Sequence, residues 1–459
     1  MYKILFLALL FPCLSTASSF NGADLSLVWG LPFAGILLSL ALLPLIVPHF
    51  WHKHYGKIIA GWTLALLAPF WSIFGYATVT TSLAHSLLSE YIPFVLMIGA
   101  LFIVTGGIRL KTHWKGTPVG NAGILLAGTF ISSWIGTTGA SMLLIRPLLL
   151  ANAWRQNKTH VFIFFIFLVS NIGGSLSPLG DPPLFLGFLQ GVPFFWPLLN
   201  LWGPVSLMSL ALLAIFLGFE SYFYGKEENK PLEILPKSIK IEGKRNLFYL
   251  AGIIGAVLLS GSWKSDISFM VYGTELALEH ILRDGSMILF SLLSLASTPK
   301  HIREENHFSW DPLMEVAKIF LGIFITVAPV LAILKAGESG ALGQIVALVN
   351  QDGSPHNGIY FWLSGLFSSV LDNAPTYMVF FFMAGADATE LTTHLPSTLA
   401  AISQGCIYMG ALTYIGNAPN FMVKSILEHR GVKMPSFFAY MAWSFSILIP
   451  LFLILTLFL

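Results

Sequence analysis

Charge is scarce in this chain: Asp, Glu, Lys and Arg together make up 10% of its 459 residues. A soluble fold of that length keeps a large hydrated exterior that so few ionised groups cannot supply, which excludes a globular aqueous protein. Cysteine is nearly missing too, with Cys13 and Cys406 as the whole complement, so there is no disulfide framework to read. The net charge of +2 points to no class of partner, and no nucleic acid is expected. Phosphate-binding loops, nucleophile elbows and zinc-protease helices are absent from the sequence, which disfavours ATP-driven pumping and intramembrane proteolysis; no enzyme activity and no cofactor are expected. What is present is apolar sequence: 56% hydrophobic residues and a mean hydropathy of +0.77. Many stretches of about 18–25 apolar residues match a bilayer core, and about ten spans are expected.

The first residues read as a secretory signal over 1–17, with Lys3, the apolar run Ile4 to Phe11, then Pro12 and Ser15-Thr16-Ala17. The alternative is a short first transmembrane helix. Hydropathy then places helices near 26–48, 58–76 and 93–110, a hairpin over 120–152, a broken helix over 160–188 and a helix near 200–219. After a polar connector at 220–245, the pattern resumes as 246–262, 285–299 and 316–337, a hairpin over 357–386, a broken helix over 396–428 and a last helix near 436–459. If each hairpin enters and leaves on one side, each half makes five crossings, and an odd count turns the second half upside down. The expected organisation is a first transmembrane repeat over 25–219, a cytoplasmic linker at 220–245 and a second repeat over 246–459. Under this scheme one side collects Lys53, Lys57, Arg109, Lys111, Arg155, Lys300, Arg303, Lys424 and Arg430, together with the basic residues of the linker. The other side keeps little beyond Lys264, Arg283 and Lys335. That bias marks the first side as cytoplasmic and predicts a multi-pass protein of the cell (inner) membrane, in contact with lipid.

The two halves also repeat a motif. Gly174-Ser-Leu-Ser-Pro-Leu-Gly-Asp-Pro-Pro-Leu-Phe185 returns 236 residues later as Gly410-Ala-Leu-Thr-Tyr-Ile-Gly-Asn-Ala-Pro-Asn-Phe421, with five of twelve positions identical. From Gly173 to Pro183 three Gly and three Pro fall in eleven residues, and no α-helix continues through that. Broken backbone at membrane depth survives only where protein buries it or a cavity lies beside it. Paired interruptions in two halves of a chain point to a secondary transporter's substrate site. Carbonyls released there, with Asn171, Ser175, Ser177 and Asp181 in the first copy and Thr413, Asn417 and Asn420 in the second, form an oxygen-rich set suited to a hard cation.

The same shift lays Gly136-Thr137-Thr138-Gly139 of the turn Gly136-Thr137-Thr138-Gly139-Ala140-Ser141 over Asp372-Asn373-Ala374-Pro375 of the turn Leu371-Asp372-Asn373-Ala374-Pro375-Thr376. Each lies between apolar half-helices and reads as the tip of a re-entrant hairpin, or else as an interfacial turn. At a tip the second half-helix offers unpaired N–H groups, and the hydroxyls of Thr137, Thr138 and Ser141 add polar contacts. Asp372 is a carboxylate in an apolar setting, by default a functional-site candidate, and it also suits a helix cap before Pro375 and Thr376. Asp181 and Asp372 are the candidate Na⁺ ligands, one per repeat, and a carboxylate able to exchange a proton for Na⁺ performs antiport. Arg146, inside a hairpin arm, has three readings: partner of a buried carboxylate, ligand of an anionic substrate, or a side chain reaching the cytoplasmic interface. His49, His52 and His54 look like a metal tract only superficially, because they adjoin the end of a span beside Lys53.

At these residues the chain resembles the ion transporter superfamily of sodium/proton antiporters, arsenite permeases and citrate or dicarboxylate carriers, and is most similar to the citrate transport, antiporter-like branch. The resemblance rests on Gly136–Ser141 with Arg146-Pro147, on Phe167-Leu-Val-Ser-Asn-Ile-Gly-Gly174 and on Leu179-Gly-Asp-Pro-Pro-Leu-Phe-Leu-Gly187. It implies that tips and unwound helices hold substrate and coupling ions, that a transport domain slides against a scaffold, and that a homodimer is to be expected. Carboxylate carriers of this group typically show Ser-Asn-Thr at their tips; Gly-Thr-Thr and Asp-Asn-Ala here lean towards a cation. The expectation is an all-α polytopic membrane protein of two inverted repeats, each with a re-entrant hairpin and a discontinuous transmembrane helix. Its expected work is ion-coupled transport of a small ion, first Na⁺ against H⁺. Citrate or another organic anion is the alternative, and a passive ion channel the competing class.

Overall fold

Apolar chain in lipid has to satisfy its backbone within itself, and this chain does so with helices. The computed structural model describes residues 21–459 except 113, 229–239, 307, 352 and 353, so the leader read at 1–17 lies outside the described residues. Eight helical segments among them, from Leu27–Ile46 to Phe437–Thr456, are long and apolar enough to cross a membrane. The protein is an α-helical, multi-pass membrane protein. Fewer segments qualify than the ten spans expected, because Asn357–Leu371, Asn373–Met383, Pro396–Met409 and Ala418–His429 are each cut short by the interruptions between them. Another helix, Leu278–Ser297, carries Glu279, Arg283 and Asp284 in its first half.

Hydropathy misplaced one region. The stretch 77–92, expected between two spans, is helical: Pro48–His85 passes into the π-helical turn Ser86–Tyr91 and then Ile92–Thr105. As one straight rod these 58 residues would reach about 87 Å, nearly three bilayer cores. The chain bends instead at Gly75, whose φ of 77° and ψ of 166° suit glycine and few other residues. The helix expected to reach 110 stops at Thr105. Gly106 and Gly107 follow, and Arg109–Lys111 then pairs antiparallel with Lys240–Glu242.

The helix Trp196–Gly225 runs past the expected start of the linker. Glu220, read as a linker residue, is fully buried. Its carboxylate accepts from Arg155, from Asn121 Nδ2 at 2.8 Å and meets His160 Nε2 at 2.5 Å. Asn121 and Asn152 exchange side-chain hydrogen bonds at 2.9 Å. This cluster closes the open end of the first hairpin, Pro118–Ile135 with Thr137–Ala151, and ties it to Thr159–Leu168 and Trp196–Gly225. The innermost elements are the two broken helices: His160 to Leu168 and Thr398 to Met409 are buried almost without a gap.

Candidate ion-binding site

Each hairpin turns on one residue with positive φ. Gly136 (φ 81°, ψ 146°) separates Pro118–Ile135 from Thr137–Ala151. Asp372 (φ 94°, ψ 143°) separates Asn357–Leu371 from Asn373–Met383. Glycine takes that conformation freely; for Asp it is strained by about 1–3 kcal/mol. Asp372 offsets part of that cost by capping, since its carboxylate accepts from Ala374 N at 3.3 Å and its carbonyl from Thr376 Oγ1 at 2.7 Å.

The broken helices are clamped to these tips by matching bonds. Ser177 Oγ donates to the Ser133 carbonyl, and 236 residues on Thr413 Oγ1 donates to the Ser369 carbonyl at 2.5 Å. Each hydroxyl also accepts from the backbone two residues ahead, Leu179 N at 3.1 Å and Ile415 N at 3.2 Å. A Cβ on Gly180 would sit 2.1 Å from the Gly174 carbonyl oxygen, and one on Gly416 would sit 2.6 Å from that of Gly410. The crossing backbones thus need glycine in both copies. Thr137 N donates to the Gly180 carbonyl at 2.8 Å and sets the first tip against the first break.

Asp181 lies where these pieces meet. It is 1% exposed and precedes the short helix Pro182–Leu189. Its Oδ1 accepts from Thr137 Oγ1 at 2.9 Å and from Asn417 Nδ2 at 3.2 Å, and its Oδ2 accepts from Asn373 Nδ2. One donor comes from the first tip, one from the second tip and one from the second break. The network continues away from Asp181. Asn417 Nδ2 also reaches the Ser170 carbonyl at 3.1 Å and Asn171 Oδ1 at 3.3 Å. Asn171 donates to Asn420 Oδ1 at 2.7 Å, and Asn420 in turn to the carbonyls of Gly410 and Thr413 at 2.8 and 2.9 Å. Among the described residues no cationic side chain pairs with Asp181. A buried carboxylate facing three neutral donors retains its charge unless a proton or a cation joins it.

The sequence candidates sort by where their polar atoms point. Thr137, Asn373, Asn417 and Asn171 surround Asp181 or its network. Ser141 Oγ shares a 2.8 Å hydrogen bond with Ser170 Oγ. Gly136 and Thr138 are half-buried on the tip. Ser175 Oγ lies close to the Tyr408 hydroxyl, and among the described residues neither has a hydrogen-bond partner. Asn373 Oδ1 is a buried acceptor with no partner among the described residues. Five candidates direct their polar groups elsewhere. The hydroxyls of Ser177, Thr413 and Thr376 are committed to backbone carbonyls, so they hold the tips and breaks together instead of facing Asp181. Among the described residues Arg146 pairs with no carboxylate: Nη1 donates to the Glu305 carbonyl at 2.7 Å and to Asn306 Oδ1 at 3.2 Å, and Nη2 donates to the Asn306 carbonyl. The Asp372 carboxylate caps Asn373–Met383, and it is the neighbouring Asn373 that reaches Asp181. Sequence reasoning passed over Gln404 and Tyr408, buried polar residues on Pro396–Met409 whose Oε1 and hydroxyl have no hydrogen-bond partner among the described residues. Their signal was available as polar side chains one turn apart within a span.

The chain matches the family described as "Putative citrate transport" over residues 22–459. It is also similar to an uncharacterized transporter of Mycobacterium bovis (strain ATCC BAA-935 / AF2122/97) and to one of Mycobacterium tuberculosis (strain ATCC 25618 / H37Rv). Each is 24% identical over 361 residues, covering 74% of this chain and 79% of the relative. With the match running from the first described residues to the last, this membrane protein belongs to the "Putative citrate transport" family of transporters.

Proposed function

We propose that the protein is an ion-coupled secondary transporter of the inner membrane that exchanges Na⁺ for H⁺ at Asp181 by alternating access. The observation that carries this reading is the Asp181 carboxylate, buried among Thr137, Asn373 and Asn417 without a counter-charge among the described residues. Such a carboxylate accommodates a proton or a small cation, and competition between the two for one site couples their movements. Asn373 Oδ1, with no partner, supplies a further oxygen ligand. In this reading the stretches 25–219 and 246–459 are inverted repeats, joined by a linker that the helices Trp196–Gly225 and Arg245–Ser262 confine to 226–244. Each contributes a re-entrant hairpin and a discontinuous helix. The recurrence of hydrogen bonds, positive-φ tips and crossing glycines at a shift of 236 residues supports it, as does the one-sided placement of Lys and Arg.

A second reading, uptake of citrate or another organic anion, is favoured by one feature. The helices Thr137–Ala151 and Asn373–Met383 both begin at the site, and the first-turn N–H groups left over once Thr137 N has bonded Gly180 and Ala374 N has bonded Asp372 would meet a substrate carboxylate. The family's description agrees with it, whereas the engagement of Arg146 with carbonyls removes its cationic ligand.

Purified protein in liposomes under imposed Na⁺ and proton gradients, with labelled citrate present, separates the readings. Antiport gives saturable, Na⁺-dependent proton movement without citrate flux. Citrate flux decides for the second reading, and unsaturable conduction decides for a channel. Asp181→Asn keeps the shape and removes the charge, and is expected to reduce Na⁺-dependent proton movement to the background of empty liposomes. An unchanged rate and pH dependence in that variant overturns the assignment of Asp181.

A further inference from the structure

A second buried carboxylate lies outside the site described above. Glu90 sits in the π-helical turn Ser86–Tyr91 between the helices Pro48–His85 and Ile92–Thr105. It is 7% exposed, and its carboxylate accepts a hydrogen bond from Gln190 Nε2 at 3.1 Å. No ion pair involves it among the described residues. A π-turn is an inserted residue in a helix, locally costly and frequent at functional sites.

Gln190 ends the helix Pro182–Leu189, and Asp181 begins it. One rigid element of about 13 Å therefore links the two carboxylates' surroundings. The turn also packs against the helix Asp311–Lys335 and the strand Thr274–Ala277. Histidines and charged groups on the packed elements are His85, which lies beside Lys335, together with Asp311, Glu315, Lys318 and the exposed Glu275, and, near the start of Pro48–His85, His49, His52, Lys53, His54 and Lys57; Pro182–Leu189 and Ile92–Thr105 carry none. A carboxyl buried at this depth, with one neutral amide donor, is stable when it carries a proton. One carboxylate and one amide fall well short of the six or so oxygens a hard cation gathers, so a bare metal ion fits poorly.

We propose that Glu90 is a second proton-binding site of this transporter, on the lysine- and arginine-poor side of Asp181, with Gln190 as the group that signals the position of the helix beginning at Asp181. The step is a protonation of the Glu90 carboxylate to the carboxylic acid and its reversal; no other bond forms or breaks. Withdrawal of Gln190 removes the donor that solvates the charge, so movement of Pro182–Leu189 changes the hold of Glu90 on its proton. The use of that proton in exchange rests on the reading of Asp181 given above; the site itself does not.

The test is infrared difference spectroscopy of wild-type protein and of Glu90→Gln, Gln190→Leu and Asp181→Asn in lipid nanodiscs, stepped between mildly acid and mildly alkaline buffer. A buried carboxylic-acid band is expected in wild type, lost in Glu90→Gln, kept in Asp181→Asn and moved in frequency in Gln190→Leu, which removes the hydrogen-bond donor. In liposomes Glu90→Gln is expected to keep saturation by Na⁺ and to lose its response to pH on the lysine-poor side. Superimposable spectra of wild type and Glu90→Gln, from protein with matching size-exclusion profiles, overturn the proposal. If instead Asp181→Asn transports normally while Glu90→Gln loses its band, the Asp181 reading fails and the Glu90 site stands.

Discussion

Asp181 and Asn417 occupy matching places 236 residues apart, and only one of them carries charge. That asymmetry makes a single centre out of two similar halves: Asn417 turns its amide to Asp181 instead of building a second site. Asn373 adds a donor to Oδ2 and keeps a free Oδ1. If Oδ1 is a cation ligand, Asn373→Ala lowers the apparent Na⁺ affinity roughly 10-fold, about 1.4 kcal/mol, in transport measured against Na⁺ concentration. Thr376→Val, whose hydroxyl serves only the Asp372 carbonyl, leaves that affinity unchanged. The residue types at the site were legible in the sequence because an acid or amide inside an apolar run is conspicuous. Which of their atoms face the centre was not, since Ser177, Thr413 and Thr376 look as suitable as Thr137 until their hydroxyls are seen on carbonyls.

Among the elements, the hairpins and broken helices were readable from glycine and proline, because these residues change backbone rules wherever they occur. The continuous helix through 77–92 was not. Its polar residues, His85, Ser86, Ser89 and Glu90, resemble a loop by composition, yet they are accommodated by helix–helix packing and a π-turn. The clamps between tips and breaks make a prediction at this scale. Ser177→Ala and Thr413→Val each remove a buried hydroxyl that donates to one carbonyl and accepts from the backbone ahead, at about 1 kcal/mol per hydrogen bond. Each is expected to lower the thermal unfolding midpoint in detergent by a few degrees while leaving Na⁺ affinity alone. A fall in affinity at unchanged stability would restore these hydroxyls as ion ligands.

Across the whole molecule, distant segments are joined by ionic contacts whose partners lie far apart in sequence. Arg155, His160 and Glu220 are buried together at the base of the first hairpin. Glu220→Ala removes the nearer carboxylate of a buried guanidinium and leaves only Glu227 at 4.0 Å; breaking a buried pair typically costs about 3–5 kcal/mol. Little folded protein is expected by size-exclusion chromatography. Where residues 240–242 return to Arg109–Lys111, the hydrogen bond from Lys111 to Glu242, at 2.7 Å, holds that carboxyl below the usual glutamate range. A lowered value means the contact helps at all pH above the ordinary range of about 4.3 and is lost as pH falls through the lowered one. Spin labels at Leu110→Cys and Ile241→Cys, paired positions on these strands, are expected to report a narrow distance distribution at neutral pH that broadens only in acid below that range.

Hydrophobicity, helix-breaking residues and the placement of Lys and Arg are local properties, so the sequence alone determined a polytopic helical membrane protein with two sets of interruptions and named the residues in them. It also supported the family, since the motifs are contiguous runs. Tertiary structure decided that Asp181 lies where the tips and breaks meet, that Asn373 rather than Asp372 reaches its carboxylate, that Arg146 grips the backbone at 305–306, and that Glu90 is buried against Gln190. Each of these depends on the direction of one side chain across 100 or more residues of chain, and direction is fixed only when the helices pack.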